Sequence, residues 1–319
     1  SVPMSKTRII SRKEAEQLLT MEACIAAMEQ TLQEVSAGAT SMLQRSMMPQ
    51  QKGNKFALMA ADNQQQGLCG VKAIVFAGPE AKKAGTSQGI VPLFDSRTGA
   101  LVAIVEAECI TAVRTAATSG AATKVLAAPE SRTLAILGAG RIGRLHIDAV
   151  RQVRPIQRVQ IWNRPGRKAP ASGRSRPLAW RQCPVPQPSR RWKGRTSSVR
   201  SPKPRSPFCR ARGSSPGPIS MQWAHAPAMP GNWTAQLDQR EAALRDGGDL
   251  AIPLASGELD QDRIIGEVGQ VMLGQIPGRQ SEEEITLFES VGIAVEDLSA
   301  AALIYQLACQ QGLGVEVEI

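Results

Sequence analysis

The residues most open to a chemical reading are three glycines spaced Gly138-x-Gly140-x-x-Gly143, with Ala139, Arg141 and Ile142 between them. The short apolar run "LAIL" precedes them and "RIGRLHIDAVRQV" follows at helical spacing, so the glycines lie where a strand turns into a helix. In that place the first glycine permits the tight turn, the second lets a diphosphate approach the backbone, and the third lets helix and strand pack closely. The helix N-terminus adds free amides and partial positive charge. "RVQIWNR" follows as a second strand and completes a β-α-β unit. It ends at Asn163-Arg164, where a cofactor without a 2′-phosphate would usually meet an acid. The arginine tips the reading within NAD(P) towards NADP(H). Glu106 in "IVEAE" and His146 are the other residues able to move protons; the first reads as a surface carboxylate and the second as a helix residue.

These elements belong to a 319-residue chain in which 42% of residues are hydrophobic, enough for two domain cores. Six cysteines without a CxxC pair, and no charged-then-apolar opening segment, predict a cytoplasmic protein with reduced thiols. No apolar run approaches the roughly 20 residues that span a bilayer, so no membrane partner is expected. With only His146 and His225, no histidine-rich metal site is expected either. Upstream of the glycines, Ser11-x-x-Glu14 has the form of a capping box and opens a helical region ending near Gly38. "KFALMAA", "LCGVKAIVFAG" and "GIVPLFDSRTGALVAIVEA" read as strands, the last as two runs joined by a turn at Asp95 to Gly99. "AECITAVRTAATSGAATKVLAA" reads as a long small-residue helix packed closely on both sides. Beyond Asp238, acids again alternate with apolar positions and the chain closes on a helix.

"QRSMMP", "GVKAIVFAG", "QGIVPLFDSRTGALVAIVEAECITAVRTAATSGAATKVLA", "LAILGAGRIGRLH" and "GRQSEEEITLFESVGIAVEDLSAAALIY" together resemble the ornithine cyclodeaminase/mu-crystallin family, over about residues 5 to 164 and 239 to 310. The resemblance implies an α/β fold of two domains. A Rossmann dinucleotide-binding domain, 126–250, sits within an α+β substrate and dimerisation domain formed from both chain ends, 1–125 and 251–319. By motif, Arg45, Lys72 and Arg114 look like the residues that hold the substrate's α-carboxylate, with Lys72 the catalytic group beside the reacting carbon. The types suit the task, since arginine pairs with carboxylate in a bidentate way and a desolvated lysine exchanges protons. Ser290-Val291-Gly292 resembles the stretch that approaches the nicotinamide, which adds Val291 and Gly292 to the cofactor set. The implied activity is NAD(P)-dependent hydride transfer at the α-carbon of a small amino or imino acid, in a homodimer.

One segment departs from this pattern. Between Asp148 and Asp238 there is no acid, and eleven arginines and three lysines from 165 to 237 account for the whole net charge of +10. The same stretch holds thirteen of the 21 prolines and four of the five tryptophans. A basic run invites a nucleic-acid reading, but a neighbouring reading frame explains this one. Taking the last base of each codon with the first two of the next, Trp192-Lys193 forces glutamate, Met221-Gln222 alanine and Trp223-Ala224 glycine. The permitted peptides include Glu-Gly-Ala-Asp-Ile-Val-Cys-Thr-Val-Thr and His-Ile-Asn-Ala-Val-Gly-Ala, a helix end with a strand and then a strand with a turn resembling those of the family. Residues from about 165 to about 230 therefore read as a frameshifted translation that is not natively folded, with a natural basic insertion as the alternative and no nucleic-acid partner. The cyclodeaminase pattern wants an aspartate just after the hidden Ala-Val-Gly, where the restored frame offers alanine. The reading thus favours a ketimine reductase or amino-acid dehydrogenase over a cyclodeaminase converting ornithine to proline and ammonia. A non-catalytic NADP(H)-dependent binding protein and an inactive frameshifted product are the further alternatives.

Overall fold

The computed structural model describes residues 6–78, 87–137, 140–162, 208–209 and 233–319. Strand β1 (Lys6–Ile10) leads into α1 (Arg12–Leu18) through the predicted capping box: Ser11 Oγ accepts from Glu14 N, and the Glu14 carboxylate accepts from Ser11 N at 2.9 Å. Such a cap stabilises a short helix by about 1 kcal/mol. Thr20 caps α2 (Met21–Ser36), whose Cys24, Ile25, Met28 and Leu32 form one buried stripe.

The sheet that receives these helices runs β14-β1-β7-β6-β5-β4-β2, with β3 also paired to β4. Its central part is an antiparallel meander of β4 (Lys55–Asn63), β5 (Leu68–Phe76), β6 (Gln88–Asp95) and β7 (Leu101–Glu106). Short β2 (Thr40–Met42) and β3 (Ser46–Pro49) flank β4. β1 joins β7 in parallel, and β14 (Val315–Glu318) closes the far edge against β1. The β6–β7 turn is the one expected: Asp95 Oδ1 accepts from Arg97 N and Thr98 N, and Gly99 takes φ +73°. Between the pairs Gly70/Leu93 and Ala73/Ile90 the β5–β6 ladder is interrupted at Val71-Lys72 opposite Val91-Pro92, where the proline has no N–H to offer.

One face of this sheet is covered. Helix α3 (Ala107–Leu126) follows β7, and α8 (Ala294–Gln311) packs on β4 and β5. A Cβ placed on Gly120 would lie 3.1 Å from Ile25 of α2 and 3.3 Å from Ala149, so the small residues of α3 allow close packing on both sides. The opposite face carries Met48, Leu58, Val75, Ile90, Ile9 and Val315, all exposed, in cross-strand rows linked by the register.

The expected β-α-β unit is present as β8 (Thr133–Leu137), α4 (Arg141–Val153) and β9 (Arg158–Trp162), with β8 and β9 parallel from Thr133/Arg158 to Leu137/Trp162. Leu134, Ile136, Ile147, Val150, Ile156 and Val159 form its own small core. Two-residue β10 (Phe208–Cys209) pairs with the other side of β8. A second parallel trio has the order β12-β11-β13, from β11 (Trp233–Leu237), β12 (Ile264–Glu267) and β13 (Ile285–Glu289). Around it lie α5 (Arg240–Asp246), α6 (Gly248–Ala255) and α7 (Val268–Met272). The stretch read as the return to the substrate and dimerisation domain, 251–319, divides between two sheets: β12 and β13 pair with β11, while α8 packs on the large sheet and β14 joins its edge. Strands of four and five residues separated by loops carry too short an alternation to reveal their partner. Apart from β10, the segment read as frameshifted lies outside the described residues.

Candidate active site

Three of the predicted residues meet on the covered face of the large sheet. Lys72 projects from β5 opposite Met59 and is the largest fully buried side chain of the described residues. Its Nζ lies 2.6 Å from Asp297 Oδ2 and 3.4 Å from Thr111 Oγ1. Arg114, on α3, donates from Nε to Asp297 Oδ1 at 2.8 Å and from Nη1 to Glu296 Oε2 at 2.9 Å. Asp297 thus holds both cations, one on each oxygen, while Glu296 holds the second from the preceding position of α8.

Arg45 reaches the same cluster from the loop between β2 and β3. Its Nη2 donates to Val291 O at 2.8 Å and to Gly292 O at 2.5 Å, while its Nε is buried with no hydrogen-bond partner among the described residues. Gly292 has φ +73°, and a Cβ there would lie 2.7 Å from Arg114 Nη1, so only glycine fits between the loop and the guanidinium. A cavity of about 230 Å³ opens beside Arg45 and Gly292, walled by Met42 and Met59 of the sheet and by Gln239 and Arg245 of the chain entering and forming α5.

Burial governs the electrostatics of this group. Desolvation brings Lys72 down to about 8, helped by the nearby Arg114 and opposed by Asp297. Burial alone would raise Asp297, but Arg114 and Lys72 together hold its carboxyl below the usual carboxylate range. Glu296 is pushed up by burial, which its contact with Arg114 only partly offsets. Arg45 is lowered, first by burial and then by Arg114, yet an arginine stays charged.

The glycine motif is positioned by α3. Gly140 is the N-cap of α4, no side chain caps the helix, and no acid lies in its first turn, so its leading amides are open to an anion. Arg141 turns its guanidinium to Glu108 near the start of α3, with Nη2 2.5 Å from Oε1; what it offers a phosphate is its backbone amide. Gly143 is buried and Ile142 half-buried on α4. Gly138, Ala139, Asn163 and Arg164 lie outside the described residues. The free amides of α4 fit the diphosphate of a dinucleotide, with Gly140, Arg141 and Ile142 as the residues that would hold it.

Glu106 and His146 resolve as structural. Glu106 is the N-cap of α3, accepting from Glu108 N and Cys109 N at 2.8 and 3.0 Å, which is a cap and not a free surface carboxylate. His146 is fully buried; Nδ1 donates to Ile142 O at 2.8 Å, leaving Nε2 to accept from Ser119 Oγ at 2.9 Å. The sequence reading missed Glu296, Asp297 and Asp238. Its available signal was "IAVEDLSAAAL", a helix of small and apolar residues in which two adjacent acids need partners.

A strand-turn-helix unit with open N-terminal amides, joined through α3 to a sheet whose covered face holds a buried lysine beside arginines from α3 and the β2–β3 loop, defines an α/β protein with a Rossmann-like dinucleotide-binding unit. The chain belongs to the ornithine cyclodeaminase/mu-crystallin family, whose model matches residues 5–175 and 234–312. It is 32% identical over 328 residues to a Delta(1)-pyrroline-2-carboxylate reductase of Bacillus cereus, covering 97% of this chain and 99% of that one. Among solved structures it is similar to the Thermococcus litoralis Delta(1)-pyrroline-2-carboxylate reductase in complex with NADH and L-proline, with TM-score 0.79, 24% identity, and 98% and 100% of the two chains covered. It is also similar to an archaeal alanine dehydrogenase dimer with bound NAD, with TM-score 0.77, 20% identity, and 99% and 100% covered.

Proposed function

We propose that the protein is an NAD(P)-dependent reductase of a small imino acid, with Δ1-pyrroline-2-carboxylate as the type of substrate. The observation that carries this reading is the buried cluster in which Asp297 joins Lys72, brought down to about 8, to Arg114. The reduced dinucleotide, when bound, supplies the hydride for the imine carbon. The chain supplies the rest. Arg114 and Arg45, whose buried Nε has no partner among the described residues, offer donors to the substrate carboxylate. Lys72 sits close enough to its titration point to hand a proton to the imine nitrogen and to take one up again when the site opens on product release. The cavity of about 230 Å³ that Arg45 and Gly292 line has room for a single five-membered ring with its carboxylate; Lys72 and Arg114 are not among its lining residues, so the ring must reach past Gly292 to meet them.

We also assign Val291 and Gly292 to the nicotinamide side of the site, a reading supported by their direct contact with Arg45 and Arg114. A homodimer through the uncovered face of the large sheet accompanies the reading, because Met48, Leu58, Val75, Ile90, Ile9 and Val315 form one apolar surface there. We infer also that residues of about 165 to 230 are not the native continuation of the Rossmann domain; the family match leaves out 176–233, most of the acid-free stretch.

The test is to follow dinucleotide oxidation with pyrroline-2-carboxylate, using NADH and NADPH in parallel, and to identify proline as product. Conversion of ornithine to proline with release of ammonia would instead make the protein a cyclodeaminase, and dinucleotide binding without turnover a binding protein. Resequencing the gene across the codons for Asn163 to Asp238 tests the frame. Confirmation of the printed frame predicts loss of dinucleotide binding, because the strands that complete the cofactor crevice would then be missing.

A further inference from the structure

Asp238 stands at the end of β11, fully buried, in a position the reaction outlined above does not use. Its Oδ1 accepts from Gln239 N at 2.7 Å. Its Oδ2 accepts from Ser290 Oγ at 3.0 Å, Val291 N at 2.8 Å and Gly292 N at 3.0 Å. Burial holds the Asp238 carboxyl above the usual carboxylate range, and the four donors offset that desolvation only in part.

The segment it grips, Ser290 to Ile293, is the crossing from β13 to α8, and the next turn of that helix carries Glu296 and Asp297. The same segment is held on its other side: Arg45 takes the carbonyls of Val291 and Gly292 while Asp238 takes their amides. Its Cα surface at Gly292 lies against the Arg114 guanidinium. One short loop therefore fixes two cations at once, and Asp238 fixes the loop.

We propose that Asp238 is a positioning residue for the substrate carboxylate site, acting through the Ser290–Gly292 crossing on Arg45 and Arg114. The proposal rests on the reductase reading. Removing the negative charge at Asp238 releases the two amides, lets Val291 and Gly292 turn, and frees Arg45 from the carbonyls that orient it. Because a misplacement near 1 Å can reduce rate by up to about 100-fold, the consequence falls on the imino acid and not on the diphosphate site at α4.

The experiment is a cycle of D238N, S290A and R45M, singly and with each of the first two combined with R45M. KM and kcat are measured for imino acid and for dinucleotide, with thermal melting of every variant alongside. D238N is expected to lower kcat/KM for the imino acid about 10- to 100-fold, while the dinucleotide, which meets Val291 and Gly292 but is also held at the α4 amides, shows a smaller rise in KM of about two- to fivefold. S290A, which keeps both amide contacts, is expected to lower it only about two- to threefold. In the R45M background both effects should shrink to what passes through Arg114, a non-additivity that a loss of stability alone would not produce. Wild-type values in D238N, equal losses for both substrates, or full additivity with R45M would overturn the proposal. If D238N fails to fold, S290A and its cycle with R45M decide the matter by the same criteria. An inactive wild type would instead sink the reductase reading, whereas an active wild type with an unaffected D238N would sink this proposal alone.

Discussion

The chain holds two sets of ion pairs built to opposite specifications. Lys72, Arg114, Glu296 and Asp297 sit with side chains at most 7% exposed, and every charge in the set touches an opposite one. Arg141 and Glu108, which set the start of α4 against α3, pair at a similar distance but with the guanidinium 50% exposed. In the dry set, water cannot replace a lost partner, so geometry fixes protonation and Lys72, the proton donor we propose, is tuned by its neighbours. In the wet set, solvent and salt take up most of any change. The first is where chemistry can be done, and the second holds one domain in register with the other.

The sharpest way to break the contrast is Asp297→Asn. Two buried cations lose their shared counter-charge, and removing one side of a buried pair destabilises by about 3–5 kcal/mol. Denaturant unfolding should show a loss of that size, and kcat/KM should fall by about 100-fold or more. A variant as stable as the wild type would mean that the cluster is solvated and the contrast empty. Next in size is the effect of pH on Lys72. An unfolded lysine titrates near 10.5, so a folded value of about 8 means that the unfolded chain binds the extra proton between the two. This group's contribution to stability is therefore present above pH 10.5 and is lost as pH falls through about 8. Activity runs the other way, because the proton donor empties as pH rises: kcat/KM should decline above about pH 8, and K72R should flatten that limb while lowering the whole profile. An unchanged alkaline limb in K72R would assign the ionisation to another group.

The same contrast explains what could be read from the sequence. The strand-glycine-helix unit was legible because its chemistry is local, with Gly140 and Gly143 spaced along one turn and "LAIL" before them. The capping box at Ser11 and Glu14 and the turn at Asp95 were legible for the same reason. Arg45, Lys72 and Arg114 were reached through family motifs, since nothing in their own neighbourhoods says that β5, α3 and the β2–β3 loop converge. Glu296 and Asp297 passed as ordinary acids in a helix's first turn, where the dipole would welcome them. Their real partners are more than 180 positions away in the chain, and no periodicity encodes that distance. Asp238 was invisible for a similar reason: its role depends on amides fifty residues downstream.

Between the two sets lies His146, a dry group in the dinucleotide unit. Burial lowers its pKa below the usual histidine value, the Nδ1 bond to Ile142 O opposing. The unfolded chain therefore takes up a proton at a pH where the folded chain does not, and stability present above about pH 6.5 is lost as pH falls towards the folded value. Melting between about pH 7.5 and 5.5 should show this slope in the wild type and lack it in H146Q, whose amide cannot titrate. An identical slope in both proteins would place the acid sensitivity in other groups.

The smallest effect is expected at the wet pair, and it sharpens the comparison most because it isolates position from charge. Glu108→Gln keeps the side chain's length but only one of its two acceptor oxygens, since Arg141 Nη2 sits on Oε1 and Arg12 Nη2 on Oε2. It removes the Coulomb attraction and one hydrogen bond from contacts whose guanidinium ends are solvated, together worth about 1 kcal/mol. Melting should therefore barely move. The N-terminus of α4 should nonetheless loosen against α3, raising the dinucleotide KM about two- to fivefold with kcat for the imino acid unchanged. Added salt screens the wild-type pair, so the gap between the two proteins should close as ionic strength rises towards 1 M. The substitution of Asp297 should show no such closure, because its cluster excludes the ions that would do the screening. If E108Q instead lowered kcat and ignored salt, Glu108 would belong with the dry set, and α3 would carry charge as well as position between the two halves of the site.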